Sequence, residues 1–454
     1  MSARITDSRL YAHLWGTAEV RALLGERARL QGWLDVLAAL ARAQAAEGVI
    51  PAPAAAAIAE NARVGRLDLD LAAEQTRRTS HSVLGLIRAL QVVLPEEARE
   101  QVYVGATVQD ITDTWTSLIM RGVGGIAWRD LRRLEEILIS LAVRYRTTAM
   151  PARTHGQPGA PVTFGWKAAS WADEVRRHLD RLRGSAERWL VGQLGGGSGS
   201  LVFYRGRGPA VRARFCAELG LGDPGISWLT ARDRVAECAQ VLALVCGTLA
   251  RIGTEVYELA RPEIGELAEP ADEEAVSSIT MPHKRNPERG EHLDTLARLV
   301  RANAGVLVEG MAAQHERDGR SWKAEWVALP EVFLLATTAL QVAVDLLDGL
   351  EVHPEAMAVN LRRQDGYGET ERILARLAPR MGKHLAQARL QQASQHGHRA
   401  GRSLAQSLAD SGLLGEDEAR GLTATADTGS CAEMVDTVVA RAHMARASEP
   451  EIWP

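Results

Sequence analysis

A chain of 454 residues with 46% hydrophobic and 24% charged content is globular, and at about 150 residues per domain it has room for several domains. A net charge of -4 with both signs interspersed argues against a nucleic-acid groove or a basic membrane-binding face, so the expected partner is a small molecule. Cys216, Cys238, Cys246 and Cys431 lie far apart with no C-x-x-C pair or zinc-like spacing and read as reduced core thiols; no metal is expected.

In chain order, Met1 to Arg9 lacks the apolar core of a signal peptide, and no uninterrupted apolar run approaches the roughly 18 residues needed to span a bilayer; a cytoplasmic location is expected. Arg27 to Glu47 is an Ala-rich helix closed by Gly48 and Pro51, followed by a Pro/Ala stretch that reads as a short helical hairpin. These make an N-terminal helical domain over 1–100. Proline-free intervals then predict long helices over 110–148, 162–192, 290–314 and 331–350, with Gly122, Gly124 and Gly125 as potential breaks in the first. The clearest helix follows Asp233, where Val235, Cys238, Leu242, Val245, Leu249, Ile252, Val256 and Leu259 alternate steps of three and four. At about 1.5 Å per residue it runs on the order of 40 Å and needs partners along its whole length. Val241 and Leu244 supply a second apolar edge that Thr248 interrupts, which favours a multi-helix or intersubunit bundle. The central bundle spans 101–350, with a catalytic loop at 263–290. After Pro354, shorter helices with Gly and Pro punctuation form a C-terminal domain over 351–454. Strand patterns are confined to short runs such as Gln101 to Val104 and Leu201 to Tyr204. The expected class is all-α, three helical domains around a central long-helix bundle.

Four clusters carry candidate chemistry. Thr79-Ser80-His81-Ser82 puts a histidine at a helix start, where a structural role is the simpler reading. Gly105-Ala106-Thr107-Val108-Gln109-Asp110 ends at a helix start, where free amides and a hydroxyl suit an anion, or Thr107 is simply the N-cap. Arg153-Thr154-His155-Gly156-Gln157-Pro158 offers a proton donor for a leaving group, or is a polar capping loop. The stretch from Ser277 to Glu291 is the richest, gathering hydroxyl, ammonium, amide and carboxylate groups. Removing a proton beside a carboxylate piles a second negative charge on it, and Lys284 and Asn286 suit that demand; the bland alternative is a turn with solvated charges. Gly195 to Gly199 is flexible enough to cradle an anion but lacks the Lys-Ser/Thr of a phosphate loop, and His396-Gly397-His398 is a poor metal site.

Taken together, these clusters resemble the signature regions of the fumarase/aspartase superfamily. Met281-Pro-His-Lys-Arg-Asn-Pro287 fits its Gly-Ser-Ser-x-Met-Pro-x-Lys-x-Asn-Pro pattern, Arg153 to Gly165 its Arg-Thr-His-Gly-Gln region, Gly105 to Asp113 its Gly-Ala-Thr-Ser-Gln-Asp region, and Thr79 to Leu86 its Thr-x-His-Asp-Val segment. The resemblance implies a cofactor-free homotetramer whose active sites are shared between subunits and which catalyses reversible β-elimination, commonly to fumarate. Five long helices in each of four subunits would make a core of about twenty. It also implies Ser278 as base, His155 backed by Glu291 as acid, and Thr107, His81, Lys284, Asn286, Arg317, Gln109 and Arg9 as ligands for a small polycarboxylate. Two departures stand out: the family's Gly-Ser-Ser reads Ser277-Ser278-Ile279, and Val108 replaces a serine beside Thr107.

The segment from His315 to Trp326 carries Trp322 and Trp326 where adenylosuccinate lyases resemble one another in a Ser and an Arg for the nucleotide phosphate, so a nucleotide substrate is not expected. It resembles instead the carboxymuconate cycloisomerase branch and its nitrosuccinate lyase relatives. The altered Gly-Ser-Ser, Val108 and Leu229 favour carbon–nitrogen elimination over cycloisomerisation of 3-carboxy-cis,cis-muconate. The remaining alternative is a non-catalytic helical structural homologue, against which the presence of Ser278, Lys284, Asn286 and His155 argues.

Overall fold

The computed structural model describes residues 4–271 and 278–453. Its architecture is all-α, with eighteen α-helices and two short antiparallel ribbons among the described residues. Seven helices frame the site: α1 (Glu26–Ala46), α2 (Val108–Arg144), α3 (Phe164–Trp189), α4 (Asp233–Leu259), α5 (Glu288–Glu309), α6 (Gly319–Asp348) and α7 (Cys431–Ser448). The ribbons are β1 (Ala149–Thr154) with β2 (Gln157–Thr163), and β3 (Leu267–Ala268) with β4 (Glu351–Val352).

All eight heptad positions of α4 are buried within the one chain, against α3, α5 and α6. On the second edge, Val241 is buried. Thr248 is buried, because its hydroxyl donates to Glu174 and meets His178 Nε2 at 2.7 Å, whereas Leu244 is 53% exposed. All four cysteines are free and buried, as expected of core thiols.

Helix α2 runs unbroken through Gly122, Gly124 and Gly125. A Cβ on Gly124 would lie 2.9 Å from the Trp453 ring, and one on Gly122 3.3 Å from Leu23. The glycines admit close neighbours, and that packing outweighs the roughly 1 kcal/mol each costs a helix interior. Helix α6 starts at Gly319, twelve residues before the expected 331, and passes through Pro330. The proline forfeits a hydrogen bond to the carbonyl of Trp326, which is 45% exposed, so water is at hand for that face.

Against the expectation of no such run, helices α4 and α6 each hold a stretch long and apolar enough to cross a membrane by length and composition, with mean hydropathy 1.6 and 1.8. Of those stretches 72% and 61% is buried inside the fold, as in core helices. The two β-like runs are not strands: Gln101–Gly105 is a turn and Val202–Tyr204 a 3-10 helix. The real ribbon, β1–β2, holds the Arg153 cluster. Its prolines at 151, 158 and 161 are tolerated because a two-stranded ribbon is all edge.

The bundle has two distinct ends. At the first, Arg232 before α4 pairs with Asp113 on α2 at 2.8 Å and with Glu325 on α6 at 2.5 Å, all three buried. At the second, the Glu269 carboxylate accepts the amides of Arg289 and Gly290 at 3.0 and 2.7 Å, capping α5, while β3 pairs with β4 just after α6. An apolar cluster in the N-terminal helices extends to Val108, Ile111 and Trp322 and so abuts the first end.

Candidate active site

At the first end, Thr107 precedes α2 and its amide donates to the Asp110 carboxylate at 2.9 Å. That carboxylate also accepts the amides of Gly195 and Gly196, both at 2.9 Å, and the Gln193 side chain at 3.2 Å. Burial pushes the Asp110 pKa up to about 6 against the pull of those four donors. The Gly195–Gly199 run therefore cradles the chain's own carboxylate at its first two amides. The Thr107 hydroxyl accepts from the Arg317 guanidinium at 2.6 Å, and Arg317 in turn lies over the Trp322 ring at 5.9 Å. Thr107 and Arg317 are thus brought together across 210 residues of sequence.

Gln109 does not join them. It is fully buried, and its amide donates to Asp113 and to the Leu229 carbonyl at 3.0 and 2.7 Å, because positions two apart on a helix face different ways. As placed, it ties α2 to the 229 segment and is closed to a ligand. His81 follows Ser80, a left-handed residue at φ 52°, and its Nδ1 accepts the Leu84 amide at 3.2 Å. In the neutral ring that leaves Nε2 as the protonated nitrogen, a donor on the half-buried side chain. Arg9 is exposed and has no described contact with any other candidate.

At the second end, His155 occupies the tip of the β1–β2 hairpin, with Thr154 paired to Gln157. His155 and Gly156 have φ values of 53° and 75°, the paired left-handed geometry of a type I′ turn, so the imidazole is held out in solvent rather than capping a helix. The hairpin is anchored by Arg153, whose guanidinium makes two 2.8 Å bonds to the fully buried Glu266 carboxylate, which also accepts from Asn360 at 2.8 Å. Glu266 and Glu269 flank β3, so the segment entering the loop holds the hairpin with one carboxylate and α5 with the next.

Ser278 is half-buried, and its Oγ accepts the Met281 amide at 3.0 Å. The Lys284 amide donates to the Met281 carbonyl at 3.0 Å, which folds residues 278–284 into consecutive turns. The Lys284 side chain is exposed, Asn286 half-buried, and Glu291 exposed in the first turn of α5. Arg285 bonds the Glu269 carbonyl and the Glu351 carboxylate, both at 2.9 Å, fixing the end of the loop to β4. Ile279 is 92% exposed. Ser277, which stands where the resembled Gly-Ser-Ser pattern has glycine, lies outside the described residues, as do Asp272, Glu273 and Glu274.

Within one chain, then, Thr107 and Arg317 lie at one end and Ser278, Lys284, Asn286, His155 and Glu291 at the other, while Arg9, His81 and Gln109 have no described contact with either group. Helix α5, 22 residues and about 33 Å long, runs from the Ser278 loop toward the first end, so about a helix length of bundle lies between the Ser278 loop and that end. His155 and Glu291 share the second end without a described contact. Three anchors escaped the sequence reading: the Asp110 cradle, the Arg153–Glu266 pair and the Glu269 cap. Asp110 alone left a signal, since Thr107-x-x-Asp110 has capping-box spacing.

A family model described as Lyase matches residues 16–301. An Enterococcus italicus protein named N-acetyl-S-(2-succino)cysteine lyase is 37% identical over 445 residues, 97% of this chain and 98% of its own. A Streptomyces davaonensis nitrosuccinate lyase is 37% identical over 420 residues, 89% of this chain and 88% of its own. Among solved structures, the 3-carboxy-cis,cis-muconate lactonizing enzyme from Pseudomonas putida superposes with a TM-score of 0.88 at 33% identity, covering 96% of this chain and 99% of the other. With the fold, the motif order and these matches in agreement, the chain belongs to the fumarase/aspartase superfamily of lyases.

Proposed function

We propose that the protein eliminates a heteroatom leaving group from a 2-substituted succinate to give fumarate, with carbon–sulfur cleavage preferred and carbon–nitrogen cleavage of a nitrosuccinate-type substrate as the second reading. The observation that carries it is the Ser278 turn, which holds a hydroxyl against the Met281 amide with Lys284 and Asn286 on the same loop leading into α5. In this reading Ser278, its own proton first lost to solvent and the alkoxide held by the Met281 amide and nearby positive charge, takes the proton next to one carboxylate. Lys284 and Asn286 stabilise the doubly negative intermediate, and Thr107 and Arg317 hold the other carboxylate. The carbon–heteroatom bond then breaks as the carbon–carbon double bond forms, and the leaving atom takes a proton from His155, backed by Glu291. A thiol, with a pKa of about 8.5, leaves as thiolate with little help, which suits an acid on an exposed hairpin tip.

Carbon–sulfur cleavage is preferred because the Enterococcus italicus lyase matches over nearly the full length of both chains. The nitrosuccinate lyase supports the second reading. The placement of the candidate groups at opposite ends of the bundle supports a homotetramer in which other copies bring the Ser278 loop, His155 and Thr107 together.

The test is fumarate absorbance after mixing the purified protein with S-(2-succino)-N-acetylcysteine, nitrosuccinate, aspartate and 3-carboxy-cis,cis-muconate. Fumarate from the thioether is expected. Ser278→Ala should lower kcat by roughly 10² to 10⁴ while leaving the assembled mass unchanged. Muconate consumption without fumarate from any succinate, or near-normal turnover by Ser278→Ala, would overturn the proposal.

A further inference from the structure

A cavity of about 100 Å³ lies between α1, α2 and α6, next to the Thr107–Arg317 pair but outside the groups assigned above. Four tryptophans line it: Trp33 from α1, Trp115 from α2, and Trp322 and Trp326 one turn apart on α6. Trp33 and Trp115 meet edge to face at 6.2 Å, as do Trp322 and Trp326 at 4.8 Å. Trp322 also carries Arg317 over its ring, so one indole is common to the cavity and to the candidate carboxylate site.

The polar part of the wall is unbalanced in one direction. Asp113 and Glu325 border the cavity, but both carboxylates are taken up by Arg232. On the opposite wall, Arg29 and Trp33 sit one turn apart on α1. Arg29 Nε and Trp33 Nε1 are both buried with no hydrogen-bond partner among the described residues, and Arg29 is the one charged residue with such an atom. Unpartnered indole N–H groups recur at Trp15, Trp128, Trp189 and Trp453, and Arg29 Nη2 reaches the Leu24 carbonyl at 3.4 Å, so it is the unpartnered guanidinium Nε, with Trp33 Nε1 one turn away, that marks this cavity for an acceptor. Arg29 lies 5.5 Å over the Trp115 ring, which holds the guanidinium at the cavity wall. An apolar aromatic enclosure with a few convergent polar groups is the usual form of a small-molecule site.

We propose that this cavity is the leaving-group pocket, selecting small thiols or amines with a short apolar body that end in a carboxylate or amide oxygen. The oxygen accepts from Arg29 Nε and Trp33 Nε1, and the body lies among the four indoles. The assignment rests on the fumarate-forming reading for its place in the reaction, but binding tests it separately. Such a pocket acts on ground-state affinity more than on the chemical step, so KM should move and kcat should not.

The experiment uses N-acetyl-L-cysteine as probe, with its binding measured by calorimetry and kcat and KM measured on its succinated thioether, for the wild-type assembly, Arg29→Gln and Trp33→Phe. Trp33→Phe removes one N–H and keeps the ring, so it serves even where loss of Arg29 impairs folding. Losing a charge-assisted donor should weaken probe binding and raise KM by about tenfold or more in Arg29→Gln, and losing the neutral one by about threefold in Trp33→Phe, with kcat little changed. Unmoved affinity and KM in both variants, or no binding to wild type at millimolar probe, would overturn the pocket. Arg29-dependent binding in a protein that makes no fumarate from any succinate would leave the pocket standing and remove the elimination reading instead.

Discussion

Replacing Gly290 with alanine probes how the Ser278 loop is seated on the bundle. Gly290 and Gly253 form the crossing of α5 over α4: a Cβ on Gly290 would lie 2.7 Å from the Gly253 carbonyl oxygen, at least 0.7 Å inside the 3.4 Å at which ordinary contact begins. The obstructing atom is backbone in the middle of a buried helix, so it cannot swing aside as a side chain would. Overpacking of this kind costs about 1–3 kcal/mol, against which the change from glycine recovers at most about 1 kcal/mol of helix propensity. The new methyl would meet the Glu269 carboxylate, which caps α5, at an ordinary 3.4 Å, so the cost arises at the Gly253 backbone. The expected net loss is about 1–2 kcal/mol, seen as a lower urea midpoint, together with reduced fumarate turnover because Asn286 and Lys284 immediately precede the displaced helix. Gly184→Ala is the control: it sits on the exposed face of α3 with nothing within 4 Å of the added methyl and should stabilise by about 0.5–1 kcal/mol. A midpoint for Gly290→Ala at or above wild type would refute the reasoning.

Two further outcomes follow from the anchors. Arg153→Met leaves the buried Glu266 carboxylate with Asn360 as its remaining described side-chain partner and should cost about 3 kcal/mol; adding Glu266→Gln should recover part of this, and identical midpoints for the single and double variants would sink the idea. His178 gives a pH signature: burial first, with Arg181 and Arg177 adding to it and Glu174 opposing, pushes its pKa down to about 4. The unfolded imidazole, at about 6.5, therefore binds a proton that the folded one refuses, so stability present above 6.5 is lost as pH falls toward 4, by up to roughly 3 kcal/mol. The midpoint gap between wild type and His178→Gln should narrow across that window; a constant gap would count against the assignment.

The long helices were legible because their apolar positions are local in sequence: the α4 seam, read at steps of three and four, is buried at every position. What was not legible depends on distant residues. Nothing near Gly124 announces that Trp453 will need its missing side chain, and nothing near Pro330 shows that α6 has already begun at Gly319. The hairpin at 149–163 was hidden by its three prolines, which argue against a strand unless the ribbon is an edge on both sides. The chemical residue types were visible as clusters. Their distribution over two ends of a bundle was not, because it is set by the direction of α5 relative to α2 and α4. Gln109 shows the limit most clearly: it lies in a suggestive motif, yet the turn of the helix points its amide into the interior.

Trp453 stacks on Trp189 at 6.0 Å, meets Trp128 at 5.9 Å and closes over Gly124. Its partners span the first half of the chain, so the groove along α2 cannot be filled until the ribosome has added more than 300 further residues. Until then the indoles of Trp128 and Trp189 face water, and a chain released early carries that aromatic surface with it. Replacing Trp453 with alanine should therefore uncover part of the Trp128 and Trp189 rings, an apolar aromatic patch of the kind that promotes association.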